Sequence, residues 1–134
     1  MNFRASHVRE RLNSALEHLA TSDHKLRERV LDAYEEYLSV LIAKEFPDQE
    51  TRKMFEEIEA QIKSIEDRID RKPGAYESLL RNKIQTPIQI AKQTLDYRAA
   101  RRLAKLIVNL YFKVETEVLD QYERELDSLA QKAR

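Results

Sequence analysis

Apolar residues recur along the chain at steps of three and four, the spacing that gathers them on one face of an α-helix. Ala5, Val8, Leu12, Ala15, Leu16 and Leu19 predict a first helix over roughly 4–20. Thr21, Ser22 and Asp23 then offer N-caps to a second helix over roughly 23–45, whose stripe is Leu26, Val30, Tyr34, Tyr37, Leu41 and Ile42. Pro47 forbids its continuation, and Asp48 can cap a third helix over 48–71. There Phe55, Ile58, Ile62, Ile65 and Ile69 step by 3, 4, 3 and 4, a narrow seam on a charged helix that packs along one line. Lys72-Pro73-Gly74 ends it, and Tyr76, Leu79, Leu80 and Ile84 predict a fourth helix over 75–85. Thr86-Pro87-Ile88-Gln89 reads as a capping box with proline at the first helical position, opening a fifth helix over 87–131.

That last segment holds Ile88, Ala91, Leu95, Ala99, Leu103, Leu106, Leu110, Val114, Val118, Tyr122, Leu126 and Leu129 at unbroken helical spacing. Unbroken, the helix would be about 65 Å long at 1.5 Å per residue. A compact chain of this size has a radius of gyration of about 14 Å, so the helix either bends near Asp96 or projects and meets a partner. The expected architecture is one all-α domain, a bundle of four to five helices with a long C-terminal helix.

Composition narrows the chemistry. Of 134 residues 36% are charged, and with one Gly and three Pro the chain lacks material for hairpins or phosphate-cradling loops. The 24 basic and 24 acidic residues cancel, but unevenly: residues 32–70 carry twelve acidic against five basic, and residues 71–105 nine basic against two acidic. The absence of Cys excludes disulfides and thiolate metal sites and fits a reducing compartment, so a cytoplasmic location is expected. The longest uncharged run, Ile84 to Ala91, is far below the roughly twenty apolar residues that cross a bilayer. Arg4, Arg9, Glu10 and Arg11 interrupt any apolar leader, and no membrane contact is expected.

No metal or cofactor is expected either. A di-iron bundle needs Glu-x-x-His steps, yet the residues three before His7, His18 and His24 are Arg4, Ala15 and Thr21. His7 with Glu10 and His24 with Glu28 read as exposed helical ion pairs, and Glu56, Glu57 and Glu59 as a solvated face. The serines lie in ordinary helical or capping contexts with no base beside them. Arg11 and His18, six residues between them, resemble the Arg-to-His spacing of HEPN-type all-helical ribonucleases. That resemblance implies a catalytic Arg11–His18 pair across a cleft; Leu12 departs from it, standing where the family's motif usually has a polar residue. The expectation is a solvated helix face and no enzyme.

Two surfaces of the last helix carry information. Leu103, Leu106, Ile107, Leu110 and Val114 share one face as its core stripe, while Ala104, Val108, Tyr111 and Phe112 fall on adjoining or opposite directions. A segment apolar most of the way round is either central to the bundle or covered by another molecule, a protein partner or a second copy. The remaining wedge is Arg98, Arg102, Lys105, Asn109 and Lys113, which either contacts successive phosphates of a nucleic acid or complements the acidic third helix. Thr86 to Ile107, TPIQIAKQTLDYRAARRLAKLI, is also similar to a helix-turn-helix, with Leu95 where the turn usually has Gly and the turn one residue short. The reading that follows is a non-enzymatic interaction or assembly protein self-associating through its last helix, with a nucleic-acid-binding or regulatory module as the alternative.

Overall fold

The computed structural model describes residues 3–71 and 85–132, with side chains from residue 6 onward. The protein is an all-α bundle: α1 (Phe3–Thr21), α2 (Leu26–Ala33), α3 (Gln49–Asp70), α4 (Pro87–Thr94) and a long α5 (Tyr97–Lys132). The expected helix over 75–85 lies outside the described residues. One hydrophobic cluster joins Val8, Leu12 and Ala15 of α1, Val30 and Leu31 of α2, the whole Phe55-to-Ile69 seam of α3, Ile90 of α4 and Leu103 to Val118 of α5. α5 is central, packing on α1, α2 and α3, while α4 bridges α2 and α3.

The caps follow from the sequence. Asp48 Oδ1 accepts from the Thr51 amide at 2.7 Å. At α4, the Gln89 amide donates to Thr86 Oγ1 at 3.2 Å and the Thr86 amide to Gln89 Oε1 at 2.9 Å, with Pro87 in the first turn.

Two expected boundaries need correction. The second helix does not run over 23–45: it starts at Leu26 and passes at Tyr34–Leu38 into one π-helical turn, followed by a 3₁₀ turn at Ala43–Glu45. The cause is tertiary. Wider π bonding leaves carbonyls without helical donors, and Arg11 of α1 supplies them, its Nε donating to the Tyr37 carbonyl and its Nη2 to the Glu36 carbonyl, both at 2.9 Å. The chain then turns so that Leu38, Leu41 and Phe46 all reach the core. Phe46 stacks on Phe55 with ring centroids 4.6 Å apart, anchoring the start of α3.

Nor is the last helix continuous over 87–131. Leu95 is extended (φ −62°, ψ 133°), ending α4, and Asp96 starts α5 by accepting the Ala99 amide on Oδ1 at 2.8 Å. Arginines tie such ends to their neighbours: Arg29 Nη1 donates to the Leu19 carbonyl at 2.7 Å, Arg27 Nε to the Lys92 carbonyl at 3.0 Å, and Arg52 Nε to the Phe46 carbonyl at 3.2 Å.

Two carboxyls of α3 are held above their ordinary range. Burial, helped by Asp70 and Asp67, raises the Glu66 carboxyl above its ordinary value, and burial with Glu56 does the same to Glu59. A carboxyl that binds its proton more tightly folded than unfolded destabilises the fold once ionised. Its stabilising contribution is therefore complete below the unfolded value, near 4.5, and is lost as pH rises through the raised folded value. Glu66→Gln is expected to raise the melting temperature at pH 7, with the gain vanishing below about pH 4. Thermal unfolding at the two pH values checks it; a lower melting temperature at pH 7 would contradict the assignment.

Candidate interaction surface on the last helix

α5 has 36 residues and spans about 54 Å. Its inward face is Ala100, Leu103, Ile107, Leu110, Val114 and Val118. Val118 is the last buried residue of the helix; from there α5 projects past the bundle. Tyr122, Leu126 and Leu129, which the spacing assigned to the same stripe as Leu110 and Val114, are not buried, and with Leu119 they are exposed by 51%, 55%, 62% and 57%.

Phe112 is 59% exposed, so it is not a core residue of the monomer. Tyr111 is half-buried, packs edge-on against Phe112 with centroids 5.4 Å apart, and lines a shallow groove with Arg9 and Asn13 of α1. Ala104 and Val108 are half-buried beside them. Two of the four residues expected to need cover, Val108 and Phe112, form the upper part of a longer apolar band: Val108, Phe112, Leu119, Tyr122, Leu126 and Leu129. Glu115 interrupts it, accepting at 2.6 Å from Arg9 Nε.

The basic wedge is divided. Arg98, Arg102, Lys105 and Asn109 are exposed, and the three cations form no ion pair among the described residues. Lys113 is half-buried, with Nζ 3.3 Å from Glu50 Oε2 and 4.0 Å from Glu117 Oε1, and the hydrogen bond to Glu50 holds its pKa above the ordinary value. Among the described residues the acidic third helix meets the wedge only through this Glu50; its Glu56, Glu59 and Glu66 do not pair with it. Glu59 and Glu66 instead face Tyr34, whose hydroxyl is raised by burial and by those two carboxylates.

Arg11 and His18 both lie beside Tyr37. The Arg11 guanidinium sits 5.7 Å from the ring centroid and the His18 ring 6.1 Å from it. His18 Nε2 is buried without a hydrogen bond, 3.9 Å from Asp32 Oδ2, and Lys92 Nζ bridges Asp32 at 2.7 Å and Glu35 at 3.0 Å. Because two Arg11 donors are held by the carbonyls that end the π turn, the pair is built as packing and capping around Tyr37. His24 Nδ1 lies 3.2 Å from Glu28 Oε2, the expected ion-pair geometry.

Among the described residues no helix is long and apolar enough to cross a membrane. In comparisons with known proteins no family model, curated protein or solved structure matches the chain.

Proposed function

We propose that this protein is a non-enzymatic helical assembly protein that self-associates through α5, and that it works in the cytoplasm. The observation that carries the reading is the exposed apolar band from Phe112 to Leu129 on a helix that outruns its own bundle. Large exposed side chains scattered singly need no explanation, but a row of them on one helix face, broken here only at Glu115, marks an interaction site. At about 100 Å² exposed per side chain, five such residues on each of two chains amount to about 1,000 Å², the lower bound for a specific interface. Sedimentation equilibrium over micromolar concentrations tests this: a concentration-dependent rise in mass is expected, and a monomer at high micromolar concentration ends the reading.

A second reading, nucleic-acid binding, is favoured by the three exposed cations Arg98, Arg102 and Lys105. If they contact phosphates of duplex DNA, affinity falls with salt at a log-log slope of about 0.9 per contact. Arg102→Ala is then expected to weaken binding to all sequences alike and to flatten that slope by about one unit. No binding to duplex or single-stranded probes at low salt removes this reading.

A further inference from the structure

α5 carries two separate stripes. The buried one steps through Ala100, Leu103, Ile107, Leu110, Val114 and Val118. The outer one, Val108, Phe112, Glu115, Leu119, Tyr122, Leu126 and Leu129, steps by 4, 3, 4, 3, 4 and 3, an average of 3.5 that suits the seam between two supercoiled helices. One flank of that seam is charged, and its sign reverses along the helix. Arg98, Arg102 and Lys105 lie on it near the N-terminal end, Asn109 and Thr116 in the middle, and Asp120, Glu123 and Asp127 toward the C-terminal end. The whole helix shares this polarity: residues 97–113 hold five basic residues and no acidic one, residues 114–127 six acidic and one basic.

Resting on the self-association reading, we infer that two copies of α5 pair antiparallel, outer seam to outer seam, with Leu126 facing Val108 of the second copy and Phe112 facing its Tyr122. In an antiparallel pair each flank meets the same flank of the other helix running the opposite way, so the acidic end lies along the basic end. A parallel pair offers no such match, because the charged flank then faces Ala104, Tyr111, Val118 and Glu125. Glu115, the one charged residue among these seven, gives the same answer. Parallel pairing stacks Glu115 on its own copy, whereas here it meets Leu119 and keeps its bond to Arg9.

The arrangement is a closed twofold contact centred near residue 117. It also accounts for the overhang. The helix beyond Val118, about 20 Å of it, lies along residues 102–115 of the second copy, covering Phe112 and Val108 and setting Asp127 beside Lys105.

The chain has no Cys, so single cysteines report the geometry directly. Val108→Cys and Leu126→Cys, each checked by sedimentation to retain association, are expected to form a disulfide-linked dimer when mixed and oxidised. Neither is expected to do so alone, since the pairing sets two copies of position 126 about 27 Å apart and disulfides need Cα atoms within about 7 Å. Self-crosslinking of either variant alone overturns the antiparallel arrangement, as does a self-associating wild type whose mixed variants do not crosslink. A monomeric wild type sinks the underlying assembly reading instead and leaves the face to another protein. The charges supply an independent test: Lys105→Glu and Asp127→Lys are each expected to weaken association a few-fold, and the double variant to restore it. A double variant weaker than either single one is incompatible with the proposed flank pairing.

Discussion

Phe112→Glu is expected to leave the protein folded and to make it monomeric. Phe112 is 59% exposed on a part of α5 that lies against the bundle, so its replacement leaves the core packing of the monomer in place. In the assembled state the new carboxylate would sit in a desolvated contact without a cation, where truncation or charge insertion at a central aromatic costs at least about 2 kcal/mol. That corresponds to a fall of about thirtyfold or more in the association constant. Sedimentation equilibrium gives the constant, and far-ultraviolet circular dichroism with thermal unfolding shows whether the fold survives. Unchanged association would place the interface elsewhere; loss of the fold would mean that Phe112 supports the monomer after all.

The sequence made the helices legible wherever their causes are local. The α3 seam, Phe55 to Ile69, is buried along its length, and the Asp48 and Thr86 caps form because each lies within three residues of the amide it accepts. Boundaries set by distant residues were not legible. Nothing between Tyr34 and Ile42 announces a π turn, because the donors that allow it come from Arg11. The candidate surface was legible in part. Val108, Tyr111 and Phe112 stood out because they lie off the core face. Leu119 was missed, and Tyr122, Leu126 and Leu129 were read as one row with Leu110 and Val114 because they continue a step of about four residues. Each such step overshoots the 3.6-residue turn by about 40°, so the row leaves the inward face after Val118. Where the neighbouring helices stop is a tertiary fact, and it decides that these residues are bare.

That drift makes Leu110 and Leu126 an informative pair. Both are leucines on one helix and belong to one apparent row, yet Leu110 is fully buried against the bundle and Leu126 stands on the overhang. Leu110→Ala removes three buried carbons from the central helix and leaves a cavity that α1, α2 and α3 cannot all close, a loss of about 2–5 kcal/mol of folding stability. Urea unfolding below the association threshold is expected to show a lower midpoint with an unaltered slope. Leu126→Ala is expected to leave that midpoint within about 0.5 kcal/mol of the wild type, since an exposed side chain on a projecting helix loses no core contact, and a good helix former replaces it. The same variant should nonetheless weaken self-association, because the methyl groups it loses are those that reach a second chain. If Leu126→Ala destabilised the monomer as much as Leu110→Ala, α5 beyond Val118 would have to fold back onto its own bundle, and its apolar band would be core rather than interface.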